Sequence, residues 1–246
     1  MRNMAPFGFS LLAAALAFAA PAPASAQTSQ TWDICVSTAT GPDDRISACS
    51  AIIDARSESG KRLAAAYCNR GHGFTEKREL DRALADLDEA LRIDAAYPCA
   101  LSNRGRVYAF KRDLDRAIAD YTTVIKLAPD VLAYINRGNA YRDSEQLDRA
   151  AADYAAAIKL APTDARGWRN RGMIRLFQGD NKGGIADYDK ALQYDPADVY
   201  SWNNRGQAKL RVGDKQGAIA DFRKALQLRP DLDTARESLQ RLGAAK

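Results

Sequence analysis

The chain has 246 residues, with 36 Lys and Arg against 31 Asp and Glu, a net charge of +5 at pH 7, and 46% hydrophobic residues. That balance is too even for a nucleic-acid tether, in which dense basic surface neutralises phosphates. One histidine, and four cysteines without a Cys-x-x-Cys spacing, give little ground for a zinc site or a thioredoxin-like redox pair.

At the N-terminus Arg2 precedes an apolar, Ala-rich stretch from Phe7 to Ala20, and Ala24-Ser25-Ala26 forms a small-residue cleavage signal before Gln27. Residues 1–26 therefore read as a secretory signal peptide, since the apolar part falls short of the roughly 18 residues a spanning helix needs. The expectation is an exported chain without membrane insertion. Export also favours disulfides among Cys35, Cys49, Cys68 and Cys99, an even set with three connectivities.

Residues 27–63 read as an N-terminal cap. Ile46, Cys49, Ile52 and Ile53 share one face of a short helix, and Trp32, Ile34 and Cys35 belong to a second segment packed on it. Between the two lies Gly41-Pro42, a turn signal able to bring Cys35 and Cys49 together.

The tripeptide Asn-Arg-Gly then recurs five times, with its glycines (Gly71, Gly105, Gly138, Gly172, Gly206) spaced by 34, 33, 34 and 34 residues. A fixed period in this range marks a helical repeat array. Five units follow, 64–97, 98–130, 131–164, 165–198 and 199–232, each reading as two amphipathic helices. The first helix carries Tyr67, Leu101, Tyr134, Trp168 or Trp202 ahead of the glycine. The second carries a small residue, then an apolar one, then a third, as in Ala117, Tyr121 and Val124, in Ala150, Tyr154 and Ala157, and in Ala218, Phe222 and Ala225. Pro129, Pro162, Pro196 and Pro230 end four of the units, because proline cannot continue a helix; the first has Ala95 there and breaks at Pro98. Spacing predicts each glycine opposite the small residue of the second helix, Gly138 facing Ala150, so that the helices approach closely. Residues 233–246 read as a solvated capping helix and tail, with Ala235, Leu239 and Leu242 on one face.

This pattern of large residue, glycine, aromatic, alanine, aromatic, alanine and proline resembles the tetratricopeptide repeat. The departures are Arg175 and Lys209 in place of an aromatic, Gly184 in place of alanine, and arginine in place of the usual leucine before every glycine. With Gly179, Gly183 and Gly184 close together, the fourth unit is expected to be the weakest, each helix-interior glycine costing about 1 kcal/mol relative to alanine. The resemblance implies an all-α, right-handed superhelical solenoid that binds protein, with no enzymatic activity and no cofactor. Together with the leader it implies an exported protein, most naturally of a bacterial periplasm, acting as a scaffold or adaptor.

Sixteen positions after each tripeptide arginine stands an aspartate, which predicts five intra-repeat ion pairs: Arg70 with Asp86, Arg104 with Asp120, Arg137 with Asp153, Arg171 with Asp187 and Arg205 with Asp221. Asn69, Asn103, Asn136, Asn170 and Asn204 resemble the asparagine ladder with which such repeats hold the backbone of an extended peptide; capping or bridging of neighbouring helices is an equal alternative. Arg106, Phe110, Arg142, Arg166, Arg169, Phe177 and Arg211 are expected beside that ladder, being residue types enriched at interface centres. His72 lacks a carboxylate or nucleophile at a recognisable spacing. Because successive first helices are neighbours in such an array, the register pairs Cys68 with Cys99, leaving Cys35 with Cys49. Self-assembly through the same groove, and thiol chemistry at Cys68 and Cys99, are the rival readings.

Overall fold

The computed structural model describes residues 24–244, so the expected leader lies outside the described residues up to residue 23. Thirteen helices and no strand make up the described residues: α1 (Ala24–Val36), α2 (Pro42–Asp54), α3 (Gly60–Glu76), α4 (Leu80–Ile93), α5 (Pro98–Phe110), α6 (Leu114–Leu127), α7 (Val131–Asp143), α8 (Leu147–Leu160), α9 (Ala165–Phe177), α10 (Asn181–Tyr194), α11 (Val199–Arg211), α12 (Lys215–Leu228) and α13 (Asp233–Arg241). Each packs on the helix before it and the helix after it. Helices α3, α5, α7, α9 and α11 also touch in succession, whereas successive even-numbered helices make no comparable contact. The odd helices therefore form the inner wall of a curved all-α solenoid and the even helices its outer wall. Helices α1 and α2 close one end against α3, and α13 covers the other by burying Ala235 and Leu239 on α12.

The second helix of every pair shows why the stack holds. Its small position (Ala83, Ala117, Ala150, Gly184, Ala218) is buried, and so are its large position (Leu87, Tyr121, Tyr154, Tyr188, Phe222) and its third position (Ala90, Val124, Ala157, Ala191, Ala225). Burying one such ring contributes about 1.5–3 kcal/mol, while ordering a single residue's backbone costs about 1–2 kcal/mol. One helix pair cannot sustain itself on those terms, so stability comes from the surfaces shared between pairs.

The glycine expectation holds in two units, where a Cβ on Gly71 would lie 3.2 Å from the Ala83 carbonyl oxygen and one on Gly172 3.3 Å from that of Gly184, and in the other three the large ring of the second helix comes nearest. A Cβ on Gly138 would lie 2.7 Å from Cε1 of Tyr154, and equivalent carbons on Gly105 and Gly206 would strike Tyr121 at 2.9 Å and Phe222 at 2.7 Å. In these three units the ring, one turn beyond the alanine, reaches back across the glycine and is its nearest neighbour. In the fourth unit the three glycines fall in different settings. Gly179 sits in the turn with φ +84°, and Gly183 lies in the first turn of α10, where its N–H donates to the Asp180 carboxylate at 2.9 Å. Only Gly184 is helix-interior, and Leu176 occupies its missing methyl's place, Cδ2 falling 2.6 Å from a built Cβ.

All five turns within the helix pairs use one geometry. A single residue at positive φ (Arg78, Arg112, Glu145, Gly179 or Gly213) is followed by an N–H that bonds back five residues, as from Glu79 to Phe74 at 2.9 Å and from Gln146 to Tyr141 at 2.8 Å. This is the Schellman closure, which satisfies carbonyls left open at a helix end.

Gly138→Leu is expected to cost about 3 kcal/mol in urea denaturation, at the upper end of overpacking penalties, because the tyrosine ring has nowhere to go. Gly179→Leu meets no atom but forces a branched side chain into the left-handed region, so its loss is expected near 1 kcal/mol. Equal losses at the two sites would contradict this register.

Candidate functional site

The inner wall is organised by its arginines. Each spaced pair closes as a two-point contact in which Nε donates to one carboxylate oxygen and Nη2 to the other: Arg70 to Asp86 at 2.8 and 2.8 Å, Arg104 to Asp120 at 2.9 and 2.9 Å, Arg137 to Asp153 at 2.8 and 2.7 Å, Arg171 to Asp187 at 2.8 and 2.7 Å, and Arg205 to Asp221 at 2.8 and 2.8 Å. All five aspartates are buried. Hydrogen bonding to the aspartate holds the Arg70, Arg104 and Arg137 guanidinium groups above their ordinary pKa. A buried carboxylate needs such a partner, since desolvation otherwise disfavours its charge.

Spacing within a unit does not reveal the third nitrogen's role. Nη1 reaches the even helix of the preceding pair: Ser50 at 3.2 Å from Arg70, Asp88 at 2.7 Å from Arg104, Thr122 at 3.0 Å from Arg137 and Asp189 at 2.6 Å from Arg205. One side chain thereby ties three helices. The position sixteen before Arg171 is Ala155, which offers no side-chain acceptor. In the fourth and fifth units the departures Arg175 and Lys209 place a second cation on the same carboxylates, each 3.0 Å from Asp187 and Asp221 respectively.

Of the expected ladder, Asn69 donates to its own helix at Ala65 (2.8 Å), Asn103 lies 3.5 Å from the sulfurs of both Cys68 and Cys99, and Asn204 accepts from Asn203 at 3.2 Å. Asn170 is buried, and Asn136 is half-buried midway along the wall. The expected groove cations are mostly engaged within the protein. Arg142 pairs with Asp143 at 2.8 Å, Arg166 with Asp164 at 2.6 Å and Arg169 with Asp198 at 3.4 Å, while Arg211 donates to the Leu176 carbonyl at 3.1 Å. Phe177 is 62% exposed and Phe110 42%, the latter under the guanidinium of Arg78 at 4.0 Å. Arg106 differs from the rest, with Nε and Nη2 buried and without a hydrogen-bond partner. His72, half-buried on α3, faces Glu76 at 3.7 Å; burial, and then the charge of Arg106, push its pKa below the ordinary value. No group of three or more metal-ligating side chains occurs among the described residues.

The cysteines stand in two pairs at disulfide distance. Cys35 and Cys49 join α1 to α2 with Cα atoms 4.9 Å apart, and Cys68 and Cys99 join α3 to α5 with Cα atoms 6.7 Å apart. The second pair links two neighbouring helices of the inner wall. No helix of the described residues is long and apolar enough to cross a membrane.

A solenoid of helix hairpins with a glycine-based close contact and a continuous inner wall defines a repeat scaffold of the kind that binds protein. Tetratricopeptide repeat family models match residues 102–165, 165–198 and 199–232, together just over half of the chain. The chain belongs to the tetratricopeptide repeat family. Similar solved structures include YrrB, described as a TPR protein with an unusual peptide-binding site (21% identity, TM-score 0.62, covering 79% of this chain and 99% of that one). Others are MamA from Desulfovibrio magneticus RS-1 (26% identity, TM-score 0.62, covering 69% and 97%) and a thermophilic TPR protein, TTC0263, from Thermus thermophilus (20% identity, TM-score 0.56, covering 74% and 98%). No curated protein matches the chain significantly.

Asp153→Ala strands the Arg137 guanidinium and is expected to cost about 3 kcal/mol in chemical denaturation, the low end for a broken buried pair because Arg137 keeps some solvent. Adding Arg137→Leu should recover at least about 1 kcal/mol as coupling energy, and strict additivity would deny the pair its role. Non-reducing peptide mapping should return the Cys35–Cys49 and Cys68–Cys99 peptides joined; a Cys49–Cys68 peptide would contradict the way α2 meets α3.

Proposed function

We propose that this protein is a protein-interaction scaffold or adaptor that holds an extended peptide along its inner wall. The observation carrying this reading is that α3, α5, α7, α9 and α11 form one continuous surface with an asparagine at the same register on every helix. A primary amide donates and accepts at once, so it matches a peptide group without reading the side chain, and Phe110 and Phe177 add exposed apolar surface nearby. In this reading residues 64–232 are five repeats flanked by caps at 27–63 and 233–246. The paired cysteines fit export into an oxidising compartment, such as a bacterial periplasm, after removal of residues 1–26.

Crosslinking from a photoreactive side chain at position 136, with mass spectrometry of the captured segments, identifies the occupant. Asn136→Ala is expected to weaken binding of the captured peptide about threefold, near 0.7 kcal/mol for the lost hydrogen-bonding amide, with the melting temperature nearly unchanged. Asn69→Ala, whose amide already serves its own helix, should change affinity little. Intact affinity together with a large loss of stability would assign the asparagines to the scaffold instead.

A further inference from the structure

The tripeptide arginines send Nη1 to the even helix of the preceding pair, so each guanidinium head lies between two helices of the outer wall. Beyond the cap, the acceptor position is two residues after the buried aspartate of the preceding unit: Asp88 after Asp86, Thr122 after Asp120 and Asp189 after Asp187. The fourth arginine is the exception. Arg171 holds Asp187 through Nε and Nη2, but its acceptor position is Ala155, and its Nη1 makes no hydrogen bond among the described residues. The adjoining positions on α8, Ala151, Ala152 and Ala156, offer no side-chain oxygen either. That nitrogen is open to solvent, and the Arg171 side chain is 19% exposed.

The groove around Arg171 also lacks the cover that its counterparts have. In the first three units a further arginine stacks on the aromatic ring near the end of the first helix: Arg82 on Phe74 at 4.0 Å, Arg116 on Tyr108 at 4.3 Å and Arg149 on Tyr141 at 4.1 Å. The third of these stacks borders a cavity of about 320 Å³ that reaches Thr122, Arg137 and Asp153. The fourth unit has Arg175 and Gly183 at the two stacking positions. Arg175 turns instead to Asp187 at 3.0 Å and to the Gly183 carbonyl at 3.2 Å, with Asp180 at 3.8 Å. The fifth unit has the same departure in Lys209 and Gly217, but there Arg205 and Lys209 face two carboxylates, Asp221 and Asp189. Asp187 alone is shared by Arg171 and Arg175. Lys159, one turn beyond Ala155 on α8, is exposed and meets no carboxylate among the described residues.

We infer that the outer wall between α8 and α10 is a docking surface for a partner protein, which sets an aspartate or glutamate carboxylate against Nη1 of Arg171. The surface lies on the wall opposite the asparagines and is independent of the groove reading. A carboxylate fits the vacancy because the fifth unit, which shares the extra cation, fills the same position with Asp189. It comes from outside the chain because α8 presents only alanines there, and their short side chains leave the nitrogen within reach of another molecule. Lys159 adds charge of the same sign at the rim. An exposed ion pair alone binds weakly, so a free anion has little hold on this place. A protein also covers apolar surface, and Leu160 and Tyr194, at the ends of the same two helices, are 48% and 36% exposed.

The test uses the full chain and fills the vacancy from within. Ala155→Asp puts a carboxylate where Asp88 and Asp189 stand in other units. With Arg171 present it should melt about 2 °C or more above the value that additivity predicts from the Arg171→Gln background, in which Arg175 still holds Asp187. Strict additivity would mean that position 155 does not face Arg171, and would overturn the site. Docking is then read by crosslinking from a photoreactive side chain at position 152, with the captured segment made synthetically as the probe. Its affinity should fall about tenfold or more in Ala155→Asp and in Arg171→Gln, and equally when one Asp or Glu of the segment becomes Asn or Gln. That last change should have no further effect against Ala155→Asp, and Asn136→Ala should leave capture unchanged. The docking surface is overturned if nothing captured depends on Ala155, or if no acidic residue of the segment matters. Loss of capture in Asn136→Ala, or a captured segment belonging to a second copy of this chain, would overturn it as well.

Discussion

A guanidinium laid edge-on against a carboxylate, across two antiparallel helices, is the contact on which the geometry of this solenoid depends. The apolar part of each unit combines alanines with several large side chains, as Ile135, Tyr141, Tyr154 and Ile158 in the third, and such contacts are non-directional and tolerate small slides and rotations of one helix on the other. A two-point hydrogen bond does not. With each aspartate buried, displacement by even part of a helical turn strands a carboxylate, so the pair sets register where the core sets only proximity. A leucine at the arginine position would bury apolar area without that directional demand. The arginine's contribution lies in a single well-defined helix crossing repeated five times, and through Nη1 it also sets how one pair sits on the next.

The fold was readable because its determinants are periodic. Five copies of Asn-Arg-Gly and of the aspartate sixteen residues on give helix identity, turn position and the facing helix surfaces from spacing alone. Contacts between units and the exact occupant of a gap were not readable. Nothing local marks Ser50, Asp88, Thr122 and Asp189 as acceptors of the third arginine nitrogen, since they lie in the preceding helix pair at offsets of 15 to 20 residues. That the Tyr154 ring is the nearest neighbour of Gly138 depends on how far a ring reaches along its helix, a property of rotamers and not of register. The departures at Arg175 and Gly184 look independent in the sequence. In space they are compensated together: Leu176 fills the gap at Gly184, while Arg175 turns to Asp187.

The candidate site was readable to a lesser degree for the same reason. Its residue types were evident, but whether a cation serves a ligand depends on whether the fold already supplies its anion. Arg142, Arg166 and Arg169 find carboxylates, and Arg211 finds a carbonyl, at residues whose sequence distance ranges from one to 35. Much of the positive charge counted along the groove is therefore matched within the protein, and the wall is polar without being strongly charged.

Arg106, the expected groove cation whose buried nitrogens find no acceptor, lies at one end, and that end is also the one held by disulfides. Cys68–Cys99 ties α3 to α5, the two helices that carry His72, Glu76 and Arg106, and Cys35–Cys49 ties together the helix pair stacked on them. A crosslink there fixes the spacing of α3 and α5 on the wall. The far units have no covalent brace among the described residues and instead put a second cation on Asp187 and Asp221, strengthening each hairpin internally, while α9 and α11 are joined without a crosslink, through Arg211 to the Leu176 carbonyl and Arg169 to Asp198. The wall is thus held covalently at α3 and α5 and by hydrogen bonds, ion pairs and packing beyond them. The spacing of the first helices is therefore set by chain chemistry at one end of the solenoid and by side-chain fit at the other, although both ends use the same arginine–aspartate register.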